Sequence, residues 1–150
     1  MSYEIRTALP ADRDGIYAVE QLCSGMPWSK GQIAEELENA CSYTVVAEEA
    51  GEIVGFASAH ILQGDAHLNE LGVLPAHRRR GIARALLGDV LREAGYQRCG
   101  LFSLEVRESN EAAIALYSAF GLVPAGVRKN FYRNPAEHAL VMIKTIEEEK

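Results

Sequence analysis

Apolar and polar positions alternate or cycle along this chain in a pattern that changes repeatedly with position. Tyr3–Thr7 alternates with the two-residue period of a strand. Pro10 and Asp12 then open a stretch in which Ile16, Val19 and Leu22–Cys23 recur at helical spacing and form one apolar face. Gly25-Met26-Pro27 ends it, and Ser29 with Gln32 three residues on makes a capping-box start for a second helix. Tyr43–Glu48 and Glu52–Leu62 read as strands turning at Ala50-Gly51, and His67–Leu74 as a third strand stopped by Pro75. Gly81–Gly95 is the clearest helix, with Ile82, Ala83, Leu86, Leu87, Val90, Leu91 and Ala94 on one stripe. Gly100–Val106 is an apolar strand interrupted by Glu105. Asn110–Phe120 is a helix closed by Gly121, and Leu122–Tyr132 and His138–Ile146 are two final strands. Strand, two helices, three strands, helix, strand, helix and two strands predict an α/β or α+β fold with helices on the faces of a sheet.

Composition narrows the setting. A chain of 150 residues without repeat, low-complexity linker or composition break is expected to be one domain over 1–150. No apolar run reaches the ~20 residues of a membrane helix, and the charged start MSYEIRTALP does not read as a secretory signal. Cys23, Cys41 and Cys99 are odd in number and widely spaced, which suggests neither a disulfide framework nor a zinc cluster. Free thiols in a reducing cytoplasm are the expectation. A net charge of -6 disfavours direct binding to nucleic acid or an anionic membrane and suits a basic partner.

The segment from Val73 to Leu87 carries the most chemistry. It passes from a strand end through Arg78, Arg79 and Arg80 into a helix that begins at Gly81. The first N–H groups of a helix lack internal partners, and the helix dipole adds about half a positive charge there, so an anionic phosphate is stabilised at this end. Gly81 removes a Cβ from the approach, and Ala83 and Arg84 continue the segment. A solvated basic turn is the alternative reading of the three arginines. Glu105, at a strand end, reads either as a proton acceptor or as a solvent-facing carboxylate. Asn110 reads as a helix cap, a ligand contact or both. Tyr117 reads as a core residue on the pattern alone, and so does Trp28 as packing for the first helix.

Arg78-x-x-Gly81-x-Ala83 after Val73-x-Pro75 resembles the acetyl-CoA signature of the GNAT acetyltransferases. Leu104-Glu105-Val-Arg-Glu-Ser-Asn110 through Tyr117 to Gly121 is similar to the RimI group of that superfamily, as are Pro27-Trp28-Ser29 and Arg128-Lys-Asn-Phe131-Tyr132. The resemblance implies a mixed, mostly antiparallel central sheet with helices on both faces. It implies acetyl-CoA as co-substrate, no metal, and direct acyl transfer to an amine. The pyrophosphate would lie on backbone N–H groups of 79–84, so that Arg78, Arg79, Arg80, Gly81, Ile82, Ala83 and Arg84 form the cradle. Leu71, Gly72 and Val73 would pair with the pantetheine arm, a backbone N–H near Val73 would meet the developing oxyanion, and Asn110 would touch the coenzyme. Glu105 would be the general base and Tyr117 the general acid, with Trp28 and Tyr132 lining a peptide entrance. The implied acceptor is the N-terminal alanine of protein eighteen of the small ribosomal subunit, a basic N-terminal peptide. A lysine or a small amine is the alternative acceptor, and a non-catalytic binding module the alternative class. This chain departs from the pattern at Ala83, Leu122 and Phe131, and Glu70 adds a carboxylate on the strand before the cradle that is placed to bind substrate or share the base role.

Overall fold

A computed structural model describes residues 2–146. Seven strands form one sheet: β1 (Glu4–Thr7), β2 (Ser42–Glu49), β3 (Glu52–Leu62), β4 (Asp65–Val73), β5 (Leu101–Arg107), β6 (Val123–Tyr132) and β7 (Glu137–Thr145). Their order across the sheet is β1-β2-β3-β4-β5-β7-β6. Every pairing is antiparallel except β4 with β5. That parallel step follows from the crossover helix between them, α3 (Ile82–Tyr96). The other helices are α1 (Arg13–Cys23), α2 (Lys30–Glu38) and α4 (Glu111–Ala119).

Strand alternation builds two cores, one on each face. Val45, Ala47, Ala57 and Ala59 point to the face covered by α3, with Ile82, Leu86, Leu87 and Val90 and, from α4, Tyr117. Val46 and Phe56 point the other way and pack with Ile16, Val19 and Ile33 of α1 and α2. The Ser29 cap forms as expected: Gln32 donates its N–H to Ser29 Oγ at 3.1 Å, and the Ser29 N–H donates to Gln32 Oε1 at 2.8 Å. Leu22 departs from the expectation. It is 64% exposed, because six residues beyond Ile16 places it about 120° around the helix. The position closing the buried face one turn after Ile16 is instead Glu20, 2% exposed.

Two features of β4 open the sheet. Ser58 pairs with Glu70 and Ala59 with Leu68, so Asn69 is an extra, bulged residue. Pairing of β4 with β5 runs only from Asp65–Leu101 to Leu68–Leu104. Beyond the bulge the two strands diverge, and a cleft opens between Leu68–Val73 and Glu105–Arg107. Among the described residues no helix is long and apolar enough to cross a membrane.

Candidate active site

The cleft has a volume of about 860 Å³ and runs from the start of α3 to the loop between α1 and α2. At its basic end, Gly81 stands at the N-cap of α3 with φ +82°, a left-handed conformation that glycine adopts without strain. Among the described residues no side chain caps this 15-residue helix, so its first N–H groups are left for a ligand. A Cβ built on Gly81 would meet no protein atom closer than 3.9 Å, so the space in front of it is open to a ligand. Arg78, Arg79, Ala83 and Arg84 line the same end. A coenzyme pyrophosphate fits this uncapped, cationic helix start.

The side chains of two cradle residues do not face the cleft. The Arg80 guanidinium turns away from the cleft to Glu49, donating from Nη1 at 3.0 Å, with His77 Nδ1 also 3.0 Å from Nη1. The Ile82 side chain is 1% exposed in the core, which leaves only its backbone for a ligand. Ile82 opens α3 and its place on the helix aims its side chain at the core, whereas Arg80 lies in the loop before Gly81 and is held there by Glu49.

Leu71, Gly72 and Val73 line the middle of the cleft. The Val73 carbonyl accepts from Cys23 Sγ at 3.2 Å and from Arg78 Nε at 3.1 Å. Asn110 caps α4 by accepting the Ala113 N–H at 3.2 Å and lines the cleft as well.

The far end is acidic and aromatic. Glu105 lies 3.0 Å from His67 Nε2 and 3.7 Å from Arg128, and His67 Nδ1 lies 2.8 Å from Ser103 Oγ. Tyr117 is 7% exposed, and burial raises its phenol above the ordinary range. Tyr132 is pushed up to about 12, by burial first and then by the Glu105 charge. The Arg107 guanidinium sits 4.4 Å over its ring and donates to the Pro135 carbonyl at 2.8 Å and the Arg133 carbonyl at 3.1 Å. Trp28 is half-buried: it lines the cleft and packs against the α1–α2 core.

Glu70 does not stand alone. Its carboxyl meets that of Glu20, and burial together with the Glu20 charge pushes it up to about 9. Burial raises Glu20 too, although its Oε2 accepts the Trp28 N–H at 2.8 Å. Two buried carboxylates this close resist being ionised together, so the pair favours holding one shared proton. Glu20, His67 and Arg107 were not singled out from the sequence. Glu20 had a legible signal, a carboxylate on the apolar face of α1. His67 and Arg107 had none, since their contacts are made across strands and loops.

Residues 13–122 match the model of the acetyltransferase (GNAT) family. The chain is 32% identical over 145 residues to a putative [ribosomal protein bS18]-alanine N-acetyltransferase of Bacillus subtilis, covering 96% of each chain. It is 33% identical over 139 residues to the [ribosomal protein bS18]-alanine N-acetyltransferase of Escherichia coli K12, covering 91% of this chain and 90% of that one. The crystal structure of the ribosomal-protein-S18-alanine N-acetyltransferase from Escherichia coli superposes with a TM-score of 0.91 at 29% identity, over 99% of this chain and 97% of that one.

Proposed function

The chain belongs to the GNAT acetyltransferase family and is an acetyl-CoA-dependent N-acetyltransferase, and from that premise we propose that its acceptor is the free α-amine of a protein N-terminus, foremost the N-terminal alanine of ribosomal protein bS18. One observation carries the reading: the cleft is polarised, with an uncapped helix start and arginines at one end and Glu20, Glu70 and Glu105 at the other. The first end suits a phosphate and the second an amine. The relatives named for this acceptor match nearly the full length of the chain.

Acetyl-CoA supplies an acetyl group activated as a thioester. Backbone N–H groups at the start of α3, with Arg78, Arg79 and Arg84, bind its phosphates, and Leu71–Val73 offer backbone groups to its arm. Glu105 takes a proton from the acceptor amine, with His67 and Arg128 fixing its carboxylate. The amine's unperturbed pKa near ~8 makes that transfer modest work. Tyr117 returns a proton to the departing sulfur. Trp28 and Tyr132 border the entry of an extended peptide. A ribosomal acceptor also places the reaction in the cytoplasm.

The test is mass spectrometry of products from a peptide with a free N-terminal alanine and internal lysines. Acetylation at the N-terminus is expected. Acetyl groups mainly on lysine, or a fast reaction with a polyamine and none with the peptide, would overturn the acceptor assignment.

A further inference from the structure

Glu20 and Glu70 are costly to keep together. Each carboxyl loses hydration on burial, and their proximity adds like-charge repulsion. Among the described residues no cationic side chain pairs with either. Glu20 is contributed by the buried face of α1, and its Oε2 is fixed by the Trp28 N–H. Glu70 follows the bulged Asn69 and immediately precedes the Leu71–Val73 segment of the cleft wall. Two neighbouring polar groups also want a partner. The Tyr117 hydroxyl lies on the same cleft, on a residue 7% exposed, with no hydrogen-bond partner among the described residues. Asn69 Nδ2 is buried and equally unpartnered. The nearby cations are engaged elsewhere: Arg107 with Glu137 and two loop carbonyls, Arg128 with Glu105 and the Phe131 ring.

We propose that the Glu20–Glu70 carboxyl pair is the seat of the acceptor's α-ammonium group, with Glu70 in contact with it and Glu20 acting through Glu70. This rests on the reading that the acceptor is a free protein N-terminus. An ammonium carries three donors and one positive charge, the complement of a carboxyl pair that lacks a cation. Seated there, it lies at the end of the β4 segment that faces the coenzyme arm. The cation also replaces the proton that the pair shares, and that proton passes to solvent. Glu105 keeps its separate task of accepting a proton from the amine. A blocked or missing amine leaves the pair unmatched, so the seat selects for an unmodified N-terminus before any chemistry.

Binding of two peptides in the presence of coenzyme A, which prevents turnover, tests the seat. One carries an N-terminal alanine, and the other has the same sequence with the α-amine replaced by hydrogen. The wild type is expected to prefer the amino peptide by about tenfold or more, as for a charge-assisted hydrogen bond. Glu70→Gln is expected to abolish the preference, Glu20→Gln to weaken it, and Glu70→Asp to keep part of it. An unchanged melting shift with coenzyme A shows that each variant is folded. Full preference retained in folded Glu70→Gln overturns the seat while leaving the acceptor reading intact. Failure of the wild type to bind either peptide overturns the acceptor reading and the seat with it.

Discussion

Glu105 is gripped from two sides, by His67 Nε2 at 3.0 Å and by Arg128 at 3.7 Å, and neither contact depends on substrate. A carboxylate held this way is preorganised for proton transfer and pays little to reach its working geometry. Glu105→Gln keeps size and hydrogen bonding but removes basicity. It is expected to slow turnover by on the order of 10²–10⁴-fold near neutral pH, with a smaller loss at high pH, where the amine loses its proton unaided. Tyr117→Phe is expected to slow turnover as well, with coenzyme binding kept. Steady-state rates across pH check both, and full activity of Glu105→Gln at neutral pH would move the base elsewhere. Both residues are legible in the sequence because they belong to a local run, Leu104 to Gly121, whose pattern is recognisable. The burial of Glu20 was legible as a carboxylate on the apolar face of α1, but its pairing with Glu70 was not, and His67 was missed because its partner Glu105 lies on another strand; no local pattern encodes such pairings.

The start of α3 shows what an element can specify. Fifteen residues of helix begin without a side-chain cap, so the dipole and the free N–H groups act on whatever lies in front of Gly81. Coenzyme A at 100 times its dissociation constant is expected to stabilise the wild type by about 2.7 kcal/mol. Gly81→Glu places a carboxylate where the phosphate is proposed to bind and strains a backbone at φ +82°. Calorimetry is expected to show a lower melting temperature for this variant and no shift with the coenzyme; a shift equal to that of the wild type would remove the cradle from this helix. The helices and strands themselves were legible to within a few residues, since period and capping are local signals. The directions of side chains within the cradle were less so. Arg80 and Ile82 look equivalent to their neighbours in the sequence, but Arg80 sits in the loop before the helix and is drawn to Glu49, while successive helical positions are about 100° apart and Ile82 falls on the core side.

At the scale of the whole molecule the sheet carries two cores and one cleft, and the cleft draws on the stability of the rest. The raised Glu70 proton makes this measurable. Its folded value of about 9 exceeds the ordinary 4.5, so the folded state binds this proton more tightly than the unfolded chain does. The associated stability is fully present below the ordinary value and is lost as pH rises through the folded one. Between about pH 6 and about pH 9 the wild type is therefore expected to lose melting temperature faster than Glu70→Gln. Parallel slopes in scanning calorimetry would contradict the shared proton. The element order predicted the layered architecture, because consecutive elements tend to pack as neighbours. The divergence of β4 from β5 was not predictable from the order: it depends on the bulge at Asn69, a pairing irregularity without a period of its own. That divergence has a further consequence. An unpaired strand border on the outside of a protein invites other chains to stack on it and is a route to aggregation. Here the unpaired stretch of β4 lies inside the sheet, walled by β5 and by the helices on either face, so a bulky neighbour cannot dock against it. Something as slender as a pantetheine arm or an extended peptide end can reach it, and the fold thereby keeps a sticky surface available to such ligands while hindering edge-to-edge stacking by other copies of itself.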